Sequence, residues 1–204
     1  MSKSKKSWIH RQEKDVYVKQ ARDSHYRSRA VFKLSQIDKR DELFRQAKIV
    51  IDVGSSPGSW SQYASEALGS QGKIIAVDIL PMCAIDKVTF IEGDITEDEV
   101  VQNCMDQLNG QKTNLVMSDI APSLSGIRIN DQARSMHLAD LVLAFAEDVL
   151  QEGGDILVKL FQGEGTEQYK AELKEKFQKV MIRKPPASRA DSREFYILGR
   201  GYQV

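Results

Sequence analysis

The sequence predicts a doubly wound α/β domain on a mostly parallel seven-stranded sheet. Three observations carry this expectation. Short apolar, β-branched runs alternate with helical patterns from residue 48 onward, and Gly-rich or Asp-bearing turns close those runs. The last two runs are separated only by KPPASRADSR, too short for a helical crossover, so they should pair as an antiparallel hairpin at one edge.

KIVIDV (48–53) reads as the first strand, closed by the loop GSSPGS (54–59). A helix through Trp60, Tyr63, Ala64 and Leu68 should stop at Gly69, before the strands KIIAVD (73–78) and VTFIEG (88–93). TEDEVVQNCMDQL (96–108) has Thr96 at the N-cap and Glu99 three residues on, the pattern of a capping box. NLVMSD (114–119) is a fourth strand. A long helix is expected from about Asp131, with Leu138, Leu141, Val142, Phe145 and Val149 on one face. Gly153-Gly154 should end it ahead of DILVKLF (155–161). A helix over 166–178 and strands VMIR (180–183) and EFYILGR (194–200) complete the pattern.

At 204 residues the chain fits one domain, 1–204, with a basic arm at about 1–40. That arm holds twelve Lys/Arg against four Asp/Glu, although the formal net charge of the whole is zero. The surplus, interleaved with Trp8, Tyr17, Tyr26 and Phe32, fits an RNA-facing surface, but also a solvated tail. No apolar run reaches the roughly 20 residues of a membrane span, and no apolar segment follows the basic start as in a secretory signal. Cys83 and Cys104 lack metal-ligand spacing and read as reduced thiols, so no metal is expected. His10, His25 and His137 sit in no triad or ligand spacing and read as surface or packing residues.

Ligands of such sheets bind at the carboxyl ends of the strands. Gly54 and Gly58 allow a tight turn and close approach of backbone, and the free N–H groups of the helix from Trp60 face the same place. Aligned on Gly54, the pattern GxGxxG meets Ser56 and Ser59, which argues against a dinucleotide oxidoreductase. Asp78 ends strand two, where a carboxylate can accept both ribose hydroxyls. Asp94 follows strand three, within reach of an adenine amino group. Three successive strand ends so equipped point to a nucleoside cofactor. Lys159 stands in an apolar central strand, where a lysine is costly unless paired or used.

Five motifs resemble the FtsJ/RlmE family of RNA 2′-O-methyltransferases. They are YRSRAVFKL (26–34), DVGSSPGSWSQ (52–62), SDIAPSLSG (118–126), LVKLFQG (157–163) and SREFYILG (192–199). The resemblance spans about Ser7 to Tyr202 and implies the Rossmann-like sheet of methyltransferases that use S-adenosyl-L-methionine (SAM). It implies a reaction centre of Lys33, Asp119, Lys159 and Glu194, with cofactor contacts from Gly58, Trp60, Asp78, Asp94 and Asp119. Small serines, Ser55, Ser56 and Ser59, replace the Ala or Gly of many relatives. The resemblance further implies a cytoplasmic monomer acting on a uridine ribose of 23S rRNA, in the aminoacyl-tRNA-receiving loop of the large ribosomal subunit, with neither DNA nor membrane as partner. Arg27, Arg29 and the loop KPPASRADSR are the expected phosphate contacts. Two alternatives stay open: a non-catalytic RNA-binding or ribosome-assembly factor on the same fold, and a 2′-O-methyltransferase of tRNA or cap RNA. Lys159 is either the general base or a charged group that orients the ribose.

Overall fold

The computed structural model describes residues 15–123, 125–189 and 191–203. Seven strands form one sheet: β1 (Ile49–Val53), β2 (Lys73–Asp78), β3 (Val88–Glu92), β4 (Thr113–Ser118), β5 (Leu150–Phe161), β6 (Phe177–Arg183) and β7 (Glu194–Tyr202). Their order is β3-β2-β1-β4-β5-β7-β6. The first five run parallel, and β7 lies antiparallel between β5 and β6. The chain winds outward from β1 to β3 and then restarts at β4, so the loops after β1 and β4 diverge at the switch point.

Six α-helices are described: α1 (Val16–Asp23), α2 (Val31–Asp41), α3 (Ser59–Leu68), α4 (Asp98–Leu108), α5 (Arg128–Val149) and α6 (Thr166–Lys176). β1 is buried throughout because helices cover both faces of the sheet, which is why its sequence is apolar except at Asp52. Leu34 and Ile37 of α2 and Trp60 and Ala64 of α3 pack on Val50, Leu157, Tyr196 and Leu198. On the other face, residues of α4, α5 and α6, such as Cys104, Val142 and Leu173, pack on Ile51, Val158 and Ile197. Cys83 is exposed, and no helix among the described residues is long and apolar enough to cross a membrane.

Two local expectations fail. Thr96 is no N-cap: its amide and hydroxyl both donate to Asp94 Oδ1, at 2.9 Å each, and α4 starts after Glu97 without a side-chain cap. The turn that Asp94 closes over Thr96 leaves Glu97, not Thr96, just ahead of the first helical residue, so the Thr96 hydroxyl does not stand at the capping position. Gly153-Gly154 does not end the long helix, which gives way to β5 at Leu150. The glycines lie in a bulge, where residues 151–154 oppose Asn114 between the pairs Thr113↔Leu150 and Leu115↔Asp155. Gly153 takes φ +78° there.

The first fourteen residues of the basic arm, Trp8 and His10 among them, lie outside the described residues. From Asp15 the arm is helical and packed. The Tyr17 and Tyr26 rings stand 5.5 and 6.4 Å from Phe32, and Val31, Leu34 and Ile37 are buried.

Candidate active site

Lys159 sits on the α2/α3 face of β5, directly across from Tyr196 of β7, and Phe161 is paired with Glu194. Side chains alternate along strands, so Glu194 and Tyr196 share that face. β4 delivers Asp119 one residue past its end, and the first turn of α2 delivers Lys33. The four expected residues therefore meet, although they come from four separate elements. Lys33 Nζ lies 2.9 Å from Glu194 Oε1 and 3.8 Å from Asp119 Oδ1, and Lys159 Nζ lies 2.9 Å from Asp119 Oδ1. The result is a chain of alternating charge, Glu194–Lys33–Asp119–Lys159, in which no side chain is more than 18 % exposed.

Burial alone would raise the Asp119 carboxyl, but Lys159, Lys33 and the Tyr196 hydroxyl outweigh it and hold Asp119 below the usual carboxylate range. Lys159 also donates to the main-chain carbonyl of Asp119, so the strand end and its own side chain grip one ammonium. The expense of burying Lys159 is thereby offset by charge-assisted bonds.

Sequence reasoning missed Tyr196. Its hydroxyl donates to Asp119 Oδ1 at 2.6 Å, and its ring lies 5.9 Å from Lys33 Nζ and 5.7 Å from the Trp60 ring. The signal was present in the period-2 pattern of Glu194 and Tyr196. Burial and the negative charges of Asp119 and Glu194 push the Tyr196 phenol well above its ordinary value, so it remains a donor.

The loop after β1 carries Gly54 and Gly58 at φ +74° and +103°. A Cβ on Gly54 would fall 2.8 Å from Ile120 Cβ, across the switch point. One on Gly58 would fall 2.6 Å from Met82 Sδ and 2.7 Å from Ile85 Cδ1. Gly58→Ala is accordingly expected to cost about 2 kcal/mol of stability, from left-handed strain plus overpacking. A urea titration with an unchanged midpoint would refute this. Trp60 turns its indole inward, 2 % exposed, and donates to the Ala30 carbonyl at 2.9 Å. What it can offer a ligand is its main-chain N–H in the first turn of α3, where no helical carbonyl reaches.

Asp78 accepts from the amides of Ser56 and Leu80, each at 2.8 Å, and so joins the loops after β1 and β2. Asp94 closes the turn described above. Ser55 Oγ is buried without a partner among the described residues. An orphaned hydroxyl, free helix N–H groups and a glycine cradle suit a polar ligand with close backbone contact. No cluster of His, Cys, Asp and Glu fit for a metal occurs among the described residues.

A cavity of about 390 Å³ opens beside the charged chain, lined by Ser28, Arg29, Lys33, Arg189, Ser192 and Glu194 among others. A second, of about 340 Å³, lies at the amino ends of the strands, where Arg200 is paired with Asp155 and Arg45 with Glu42. Its charges are satisfied internally, and it is remote from the strand ends that carry the motifs. Arg27 and Arg29 have partners within the chain that the sequence did not signal. Arg27 donates to the carbonyls of Pro57, Cys83 and Ala84, and Arg29 to Asp15 and the Ala187 carbonyl.

Comparison with known proteins finds relatives along nearly the whole chain. A protein of Alkalilimnicola ehrlichii named ribosomal RNA large subunit methyltransferase E is 49 % identical over 195 residues, covering 96 % of this chain and 93 % of its own. One of the same name from Stutzerimonas stutzeri is 44 % identical over 202 residues, covering 99 % and 98 %. A crystal structure from Plasmodium falciparum, described as a ribosomal RNA methyltransferase, superposes with a TM-score of 0.80 at 33 % identity, covering 87 % of this chain and 98 % of that one. Residues 26–202 match the FtsJ-like methyltransferases, and the chain belongs to that family.

Proposed function

We propose that the protein is a SAM-dependent methyltransferase of large-subunit ribosomal RNA, acting on the 2′-hydroxyl of a 23S rRNA uridine. In this reading it works as a cytoplasmic monomer. The observation that carries the reading is the buried chain Glu194–Lys33–Asp119–Lys159, whose Glu194 and Lys33 line a cavity and whose Asp119 precedes Ile120, the residue packed against Gly54 of the glycine loop. A non-catalytic RNA binder has no use for two lysines held at the carboxyl end of a sheet.

SAM supplies an electrophilic methyl group on a sulfonium. The loop of Gly54 and Gly58, the first-turn N–H of Trp60, and the carboxylates of Asp78 and Asp94 would hold it, with Asp119 at the border of the two sites. The chain's remaining task is to aim one oxygen and to manage one proton. Lys159 already gives hydrogen bonds to the Asp119 carboxylate and carbonyl. That pairing favours the charged, orienting role: the ammonium donates its remaining N–H to the 2′-oxygen and fixes which lone pair faces the methyl carbon. Lys33, braced by Glu194, adds its charge at 3.8 Å to the same Asp119 Oδ1 that Lys159 and Tyr196 hold, and helps to fix that carboxylate. The ribose proton would then leave late, to a solvent water, as the new C–O bond forms.

The test is incubation with methyl-labelled SAM and, in parallel, large ribosomal subunits, naked ribosomal RNA and tRNA, followed by digestion to nucleosides. The expected product is 2′-O-methyluridine from large-subunit RNA. Base methylation, or label in tRNA alone, would overturn the reading.

A further inference from the structure

We propose that Arg27 is a positioning residue for the cofactor site, clamping its two loops together, rather than a contact for RNA phosphate. Its guanidinium donates from Nη1 to the carbonyls of Pro57 (3.0 Å) and Cys83 (2.7 Å), and from Nη2 to that of Ala84 (2.8 Å). Pro57 belongs to the glycine loop after β1. Cys83 and Ala84 belong to the loop after β2, which runs without helix or strand from Ile79 to Lys87. One planar fork therefore ties the loops after β1 and β2, the two sides of the proposed cofactor cleft, an arrangement that suits arginine and no other side chain.

The loop after β2 depends on such outside support. Its other ties are the Asp78 carboxylate, shared by the Leu80 and Ser56 amides at its start, the Ser56 hydroxyl on the Pro81 carbonyl (3.3 Å) and the Ser65 hydroxyl on the Asp86 carbonyl (2.9 Å). Gly58 has room for no side chain because Met82, Ile85 and Arg27 Nη1 crowd the space its Cβ would take. The clamp is thus built into the closest approach of the two loops. Arg27 is also six residues before Lys33. Between them, Ser28 Oγ meets Ser59 Oγ at 2.8 Å and the Ala30 carbonyl accepts from Trp60. A single short segment accordingly fixes the cofactor loops on one side and a reaction-centre lysine on the other.

Three of the five N–H groups of this guanidinium are already given to main-chain carbonyls, which leaves at most two for a phosphate. The clamp rests on the reading of the cleft as a SAM site, and the experiment separates the two. Arg27→Ala and Arg27→Lys are prepared in the full chain, and SAM affinity is measured by calorimetry. RNA affinity is measured over a salt series, and amide hydrogen exchange over residues 79–87 is followed in the free protein. Arg27→Ala should weaken SAM binding about tenfold and raise the KM for SAM while kcat at saturating SAM is kept. Arg27→Lys, one point charge for three carbonyls, should recover only part of that loss. The slope of log affinity against log salt should not change, and exchange in 79–87 should accelerate in both variants.

A phosphate contact predicts the reverse: full rescue by lysine, and a salt slope reduced by about one in Arg27→Ala with SAM affinity unchanged. Either of those results, or unaltered exchange in 79–87, overturns the clamp. A wild-type protein that binds no SAM would refute the cofactor reading, and the exchange measurement would still decide the role of Arg27.

Discussion

Lys159→Ala is expected to lower methyl transfer by roughly a thousandfold or more, while SAM affinity changes by no more than a few-fold. The side chain is 8 % exposed and its ammonium spans Asp119 Oδ1 at 2.9 Å and the Asp119 carbonyl. Truncation removes the donor that aims the 2′-oxygen, an effect in the range of about 10²–10⁴ for a positioned group of this kind. It also strips Asp119 of its nearest cation and leaves Lys33 at 3.8 Å, so the carboxyl rises from its depressed state and the remaining groups lose their alignment. Among the described residues no hydrogen bond or ion pair joins the Lys159 side chain to the loops after β1 and β2, which should keep their form. Lys159→Arg keeps charge but replaces a compact ammonium by a wide fork, and is expected to recover little turnover. Single-turnover transfer of labelled methyl groups, beside calorimetric SAM binding, checks the prediction. Turnover of Lys159→Ala within tenfold of wild type would remove Lys159 from the reaction centre.

The fold was legible because its strands are apolar runs bounded by turn residues, and because a ten-residue connection leaves β6 and β7 no topology but antiparallel pairing. The meeting of Lys33, Asp119, Lys159 and Glu194 was legible only through motif resemblance. Lys159 alone announces itself physically, as a lysine in a buried strand; the other three are ordinary charged residues in any local window. Tyr196 escaped because a tyrosine amid Phe195, Ile197 and Leu198 reads as one more core aromatic, and only the β5–β7 register sets its hydroxyl on Asp119. The partners of the arginines were hidden for another reason. Positive charge in a basic arm suggests phosphate, whereas carbonyl partners at Pro57, Cys83, Ala84 and Ala187 are far away in sequence and carry no side-chain signature. Gly153-Gly154 misled because a glycine pair marks a helix end and a bulge equally well.

Asp52→Asn is expected to stabilise the protein by about 2–4 kcal/mol at pH 8, with the gain falling below about 1 kcal/mol near pH 4.5. Asp52 is 1 % exposed in the central strand β1. Burial is the main cause that lifts its carboxyl to about 7; the hydrogen bond from Ser61 Oγ, 2.6 Å away, works against the rise, and the charges of Asp119 and Asp78 add to it. The unfolded chain releases this proton near pH 4, whereas the folded chain keeps it until about pH 7. Between those values the folded state binds more protons than the unfolded one, so this residue's contribution falls as pH rises, and the penalty is complete above about pH 7. An asparagine is neutral throughout, and its amide oxygen can still accept from Ser61, so it carries no such slope. Asp119 acts in the opposite sense: its folded carboxyl is depressed, so its contribution is present at neutral pH and is lost on acidification. The two effects overlap in the wild-type curve, and only the difference between variant and wild type isolates Asp52. Urea titrations of both proteins from pH 4.5 to 8 measure that difference. Parallel curves would mean that Asp52 is ionised in the folded state, compensated by a charge that these contacts do not include.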